Sequence, residues 1–368
     1  MTTISVELST PADDAAIRNL VRREPVPGRI TIGYEREPEF SIGCSVTGDD
    51  VRILVARAGP GGPVVGVACR STRKLFVNGC ERRLGYLGQL RLDQAFRGRW
   101  IVSRGFEALR RLHDSDPLPA YVASIIEGNR EAAGVLVDKP RRRFPGFRRT
   151  ADFCTFAIEV RRGKPAQPCG ARISAASADQ LPEIAKFLRT HGASRQFFPV
   201  WTEESLQKLT GFGLRIEDLR LARRSGRIVG VIGLWDQSAY KQTVVRAYSG
   251  WLKAAAPFYN GCAPWLGRPV LPRPGEKLRG AYAAFICIAD DDPAVFAALL
   301  RDLHDAAAGR GFDYLLAGLD ARDPLAPVAG AYPHVLYPSR LYLVEWPDGG
   351  RLYEQLDERP AYLDIATL

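Results

Sequence analysis

Apolar positions along the chain switch repeatedly between a period of two and a period near 3.6, so strands alternate with helices. Ile4 to Leu8 alternates like a short strand. Ser9-Thr10-Pro11 then opens a helix: Thr10 is placed to cap it, Pro11 suits its first position, and Asp13 and Asp14 face the positive end of its dipole. Residues 26–50 read as loop with at most a short helix. Val51 to Ala58 and Val64 to Cys69 form a predicted hairpin around a Gly/Pro turn, and Arg82 to Leu92 is a third strand. Trp100 to His113 is a helix, with Val102, Phe106, Leu109 and His113 on one face. Tyr121 to Ile126 is a strand, Asn129 to Val137 a short helix and Phe153 to Val160 a closing strand.

The second half repeats this order. Arg172 to Ser174 is a short strand, and Ala178 to Thr190 is a helix with Leu181, Ile184, Phe187 and Leu188 aligned. Leu219 to Arg223 and Ile228 to Leu234 form a hairpin around Ser225-Gly226. Tyr282 to Ile288 is a strand, Pro293 to Gly311 a helix, and Tyr314 to Leu319 a strand. Leu325 to Ala331 is a short helix, Arg340 to Trp346 a strand, and Tyr362 to Ala366 a last short strand. Val64-Val65-Gly66-Val67 and Ile228-Val229-Gly230-Val231 are the clearest echo between halves. The fold class is therefore α/β (α+β): two similar units, each a mixed, mostly antiparallel sheet covered by helices. A Pro/Gly-rich stretch at 161–170 separates a first domain, 1–162, from a second, 171–368.

Length and composition fit this picture: 368 residues are long for one core and comfortable for two. No apolar run approaches the ~18 residues a membrane span needs, and the N-terminus lacks a basic region followed by an apolar one. Seven cysteines, an odd count without a CxxC pair, read as reduced, mostly buried thiols of a cytoplasmic protein. Four scattered histidines suggest no metal site. A net charge of +10 favours an anionic partner without identifying it.

The chemistry is expected between Leu87 and Leu136. There a strand runs into a short basic loop with Gly98, and a helix starts at once. Unpaired amides at a helix N-terminus form a phosphate site, and Arg97 and Arg99 add guanidinium donors. The run Gly88-Gln89-Leu90-Arg91-Leu92-Asp93-Gln94-Ala95-Phe96-Arg97-Gly98-Arg99, followed by Ser124-Ile125-Ile126-Glu127-Gly128-Asn129 with Ala132, resembles the Gcn5-related N-acetyltransferase (GNAT) superfamily. The resemblance covers residues 1–160 by element order and about fifty residues by motif. It implies a fourth and fifth strand that splay apart to admit the pantetheine arm of acetyl-CoA or a longer acyl-CoA. It also implies that backbone groups of Leu90, Arg91 and Leu92 hold the arm and thioester. Arg97, Gly98, Arg99, Trp100, Ile101 and Val102 would hold the pyrophosphate, and Asn129 would touch the cofactor near the pantetheine. Two positions depart from the family. Trp100 and Val102 stand where small residues let the backbone approach phosphate, so Trp100 should crowd or reshape the loop. Leu136 stands where many members place an acidic tyrosine.

The implied reaction is N-acyl transfer by direct attack of an amine on the thioester. Glu127, at the end of a central strand, is the candidate base; the other reading is an exposed loop carboxylate. Tyr86 and Tyr121 are candidate acids or packed strand aromatics. The acceptor would be a small-molecule amine or a peptide, with neither membrane nor nucleic acid as partner. The altered positions leave a rival: a non-catalytic binding or regulatory protein on the same fold. The second half lacks the loop and carries Asp290, Asp291 and Asp292 before its helix, as a helix cap or as a cation site, and no CoA is expected there. Its role would be to support the first half and wall the acceptor cleft. The aromatic insertion at 248–276 is either a lid or inter-domain packing. The run Arg141-Arg142-Arg143-Phe144-Pro145-Gly146-Phe147-Arg148-Arg149 is either a nucleic-acid or anionic-ligand patch or a solvated loop near the adenine and phosphate end of CoA.

Overall fold

The computed structural model describes residues 3–28, 30–98, 100–138, 144–160, 169–263, 265, 268 and 270–368. The first half runs β1 (Ile4–Leu8), α1 (Asp14–Arg23), β2 (Ile30–Glu35), α2 (Phe40–Ser45), β3 (Asp50–Ala58), β4 (Val64–Val77), β5 (Cys80–Leu92), α3 (Ile101–Ser115), β6 (Tyr121–Ile126), α4 (Arg130–Leu136) and β7 (Gly146–Glu159). The second runs β8 (Arg172–Ala175), α5 (Leu181–Gly192), α6 (Glu203–Thr210), β9 (Leu219–Arg224), β10 (Arg227–Trp235), β11 (Gln242–Tyr248), α7 (Trp251–Cys262), β12 (Gly280–Ile288), α8 (Pro293–Gly309), β13 (Tyr314–Asp320), α9 (Ala326–Gly330) and β14 (His334–Glu345).

Two tight turns fix the longest registers. Asn78-Gly79 joins β4 to β5 and Ser225-Gly226 joins β9 to β10, each with two successive positive φ angles. Such turns match the twist of the flanking strands. The echoed Val-Gly-Val segments also have a structural reason. A Cβ on Gly66 would come 3.3 Å from Ile101 of α3, and one on Gly230 would come 2.7 Å from Leu299 of α8. In both halves a glycine lets the central helix approach the sheet closely.

Twelve strands form one sheet in the order β1-β3-β4-β5-β6-β14-β7-β13-β12-β10-β9-β8. β14 lies antiparallel between β6 and β7, and β7 pairs on its other side with β13. The final strand of each half thus sits beside the central strands of the other. The stretch expected as a linker lies, at 161–168, outside the described residues, as do Arg141, Arg142 and Arg143. In the first half, α1 and α2 pack on one face around Leu20, Phe40 and Cys69. α3 packs on the other face through Ile101 and Leu109. The largest apolar core belongs to the second half, between α5, α8 and β9, β10 and β12.

Three expectations are corrected. The 26–50 loop contains a strand, β2, which pairs with β11 in a separate two-stranded sheet joining the halves. The tail at 362–366 is no strand: it makes one bridge at Ala361 and ends in a 3-10 turn, Ile365–Thr367. Of the seven cysteines only Cys44, Cys69 and Cys287 are buried, and Cys80 is exposed.

Candidate functional site

β5 and β6 run parallel and are paired only through Gly85, Tyr86 and Leu87. Beyond Leu87 they separate, because β5 bulges. Gly88 faces Cys69 of β4 and Arg91 faces Val67, so Gln89 and Leu90 together oppose a single residue. Gln89 has φ 57°. A bulge of this kind bends its strand and takes backbone groups out of the ladder. A cavity of about 250 Å³ opens in the gap and extends beneath α3 and α4. It passes through the sheet, reaching Cys69 and Tyr86 on the α1 face and Phe106, Leu109 and Ile125 on the α3 face.

The second half repeats the bulge and closes it. Ala284 faces Gly233 and Cys287 faces Val231, with Phe285 at φ 57°. Here the bulge amides are taken: Phe285 N donates to Asp364 Oδ2 at 3.0 Å and Ile286 N to Tyr362 Oη at 3.1 Å. The rings of Phe198 and Tyr362 pack at a tilt, centroids 4.4 Å apart, and fill the space, leaving about 10 Å³. The tail is therefore a plug. Among the described residues no side chain takes the equivalent amides of Gln89 and Leu90.

The helix starts differ in the same sense. Asp292 caps α8, accepting from Ala294 N at 2.9 Å and Val295 N at 3.3 Å, and Arg224 pairs with its other oxygen. Asp291 is held by Arg195 at 2.5 Å. The three acids thus include a helix cap, which keeps a carboxylate where a phosphate would sit. Among the described residues no side chain caps α3, whose N-cap residue is Trp100. The amides of its first turn accordingly point toward the loop, as at any helix start.

Of the two outcomes expected for Trp100, a reshaped loop is found rather than a crowded one. The Trp100 backbone is left-handed, φ 60°, and its side chain is 72% exposed, outside the cavity. Leu90, Arg91, Leu92, Ile101, Val102 and Asn129 all line the cavity, as does Tyr86. Asn129 also caps α4, accepting from Ala132 N at 3.1 Å. Gly98 has φ 78° with open space around it. Arg97 bridges Glu24 at 2.5 Å and Glu131 at 2.7 Å across the mouth. Arg99 lies outside the described residues. Leu136 does face the cavity, so the position of the family tyrosine is apolar here.

Among the acid–base candidates, Tyr86 alone lines the cavity. Its phenol has no hydrogen-bond partner among the described residues, and burial pushes its pKa up. Gly88 makes room for the ring: a Cβ there would come 2.6 Å from Tyr86 Cε1. Tyr121 is fully buried and bonded to His113 Nδ1 at 2.9 Å, a packed strand aromatic. Glu127 is exposed and pairs with Arg340 at 3.2 Å, away from the cavity lining. Three aromatics of the insertion, Trp251, Phe258 and Trp265, are 69%, 78% and 91% exposed, while Tyr259 is half-buried. Sequence reasoning missed Gln89, because a bulge leaves no signature in residue type. It also missed the plug formed by Tyr362 and Asp364, whose pairing with β12 is long-range.

No protein-family model and no curated protein matches the sequence. Solved structures do match. N-myristoyltransferase of Saccharomyces cerevisiae, solved with bound myristoyl-CoA, aligns over 98% of this chain and 84% of its own, with TM-score 0.63 and 9% identity. A GCN5-related N-acetyltransferase from Sphaerobacter thermophilus aligns over 94% of this chain and 97% of its own, with TM-score 0.58 and 15% identity. The GCN5-related glucosamine N-acetyltransferase region of a fungal multi-domain GH3 β-N-acetylglucosaminidase covers 93% of this chain and 38% of the fungal one, with TM-score 0.63 and 14% identity. At such identities the likeness concerns architecture, and with the splayed strands, the bulge and the open helix start it gives one conclusion: this chain is built on the fold of the GNAT superfamily, in its tandem two-unit form.

Proposed function

We propose that the protein is an acyl-CoA-dependent N-acyltransferase with its one cofactor site in the first half, residues 1–162, the second half, 171–368, walling the acceptor side. One observation carries this reading: the gap between β5 and β6 is open and leads to an uncapped helix start, whereas its counterpart is plugged and capped. The first-turn amides of α3 would take the pyrophosphate. The pantetheine arm would run through the gap, near Asn129. The amides of Gln89 and Leu90 stand where an oxyanion on the thioester carbonyl would form. The amine nitrogen attacks the carbonyl carbon, a C–N bond forms and the C–S bond breaks. The amine loses a proton to solvent, and the departing thiolate gains one from Tyr86, which is reprotonated by water. The myristoyl-CoA of the yeast relative supports an acyl-CoA here; the acyl group is acetyl or longer.

The test is thermal stability with CoA, acetyl-CoA and longer acyl-CoAs. A ligand at 100 times its Kd stabilises by about 2.7 kcal/mol. A rise in Tm with at least one CoA ester is expected, and the order of the esters ranks the acyl group. No shift with any of them removes the enzyme reading; a shift without acyl transfer to any amine leaves a sensor.

A further inference from the structure

On the face of the sheet opposite α3, three guanidiniums and the amine of Lys241 gather, with Asp49 and Asp364 within electrostatic reach of Arg73. Arg36 is 7% exposed, yet its Nη1 donates only to the Glu35 carbonyl at 3.1 Å and its Nε has no partner. Lys241, also 7% exposed, donates only to the Ala366 carbonyl at 2.9 Å. Arg73 reaches the Thr367 hydroxyl at 3.1 Å and lies over the Trp201 ring. Arg91 donates to the Leu90 carbonyl at 2.8 Å. None of the four has an ion pair among the described residues. Apart from Asp49, which is exposed, the acids nearby are already engaged. Glu35 pairs with Arg246, Glu37 with Arg18 and Arg22, and Asp364 accepts from Phe285 N, Ala366 N and Tyr362 Oη.

A buried guanidinium cannot shed its proton, and buried charges are normally paired. The fold nevertheless makes room for this one. A Cβ on Gly43 of α2 would come 2.2 Å from Arg36 Cδ and 2.8 Å from Nε. The guanidinium also lies within electrostatic reach of Tyr86 and Arg91, which line the cavity at the gap. Arg73, Tyr86, Arg91 and Tyr282 are only half-buried, as side chains lining a cleft are.

We propose that Arg36, with Lys241 and Arg91, seats an oxyanion carried by the acceptor, so that the acylated amine belongs to a molecule that also bears a carboxylate or a phosphate. The proposal rests on the acyltransferase reading and names its substrate class. Guanidinium donors recognise either oxyanion, and an oxyanion bound beside Lys241 would offset the burial and the neighbouring Arg36 that push its pKa down.

The experiment is a titration of the protein with glycine and β-alanine (carboxylate), phosphoethanolamine (phosphate), ethanolamine (neutral) and putrescine (cationic). Thermal shift is read with and without acyl-CoA, and thiol release is read with it. Half-saturation at least about tenfold lower for a carboxylate or phosphate amine than for ethanolamine is expected, and the better of the two identifies the oxyanion. In Arg36→Gln that preference collapses to near unity while the shift with acyl-CoA persists, and Arg36→Lys keeps part of it. Should Arg36→Gln not fold, Lys241→Met is read in the same way. Ethanolamine or putrescine serving as well as the anionic amines overturns the proposal, as does an equal loss for every amine in Arg36→Gln. Absence of any shift with acyl-CoA defeats the enzyme reading instead, and the anion preference is then still read from the unloaded protein.

Discussion

A methyl group at Gly88 would meet the ring of Tyr86 at 2.6 Å, the one tyrosine among the described residues that lines the gap. Gly88→Ala must push the ring away, so turnover falls while the acyl-CoA shift survives. Tyr86→Phe removes the proton donor and keeps the packing. Its expected loss in kcat is about 10²-fold, at the lower end of general acid catalysis, with acyl-CoA affinity kept; stopped-flow or thiol-release kinetics check both. An unaltered kcat in Tyr86→Phe assigns the proton to solvent. At this scale the sequence was informative where a residue type has one use. Leu90, Arg91, Leu92, Ile101, Val102 and Asn129 were placed by motif and do line the cavity. For Trp100 the sequence left two outcomes, a crowded or a reshaped loop, and only the backbone decides between them: its φ is left-handed and its indole is exposed. Glu127 could not be located from sequence, since its partner Arg340 is 213 residues away.

At the scale of elements, α3 must stay over the gap if its first turn is to face a diphosphate. Its far end is tied down by Asp116, which bonds Arg83 at 2.5 Å and the buried Arg70 at 2.9 Å. Arg83 first, then Arg70, hold the Asp116 carboxyl below its ordinary range. A depressed folded pKa means that the stabilisation is complete above about pH 4 and fades as pH falls through the folded value. Asp116→Asn is expected to cost about 2 kcal/mol at pH 7, below the 3–5 of a fully buried broken pair because Asp116 is partly exposed. Urea unfolding of both forms at pH 7 and pH 3 checks this: the difference should shrink at the lower pH. A constant difference would make the contact one of packing. Strong periodicity made α3, β5 and β6 legible in sequence. β2 and the tail were not, because β2 finds its partner β11 only across the halves and the tail is shaped by the gap it fills.

For the whole molecule, one architecture is used twice with opposite outcomes. Both halves keep the bulge, the central helix and the glycine beneath it, and each lends its last strand to the other. In the second half the chain's own tail fills the gap that stays open in the first. Asp364→Ala strips the Phe285 and Ala366 amides of their acceptor in a buried site, at about 1–3 kcal/mol for each group left unpaired. It should lower Tm without creating a second cofactor site. The duplication could be read from the order of elements; the strand exchange could not, because β14 inserts between strands that precede it by about two hundred residues.

Calorimetric titration with the acyl-CoA that gives the largest thermal shift tests the central claim most directly, in the unaltered protein and in Trp100→Asp. That substitution sets a carboxylate at the start of α3, as Asp292 does at α8, and Asp tolerates the left-handed backbone better than Trp. One acyl-CoA per chain and a strong loss of affinity in Trp100→Asp are expected. Two per chain, or one whose affinity is indifferent to that carboxylate, would contradict the claim.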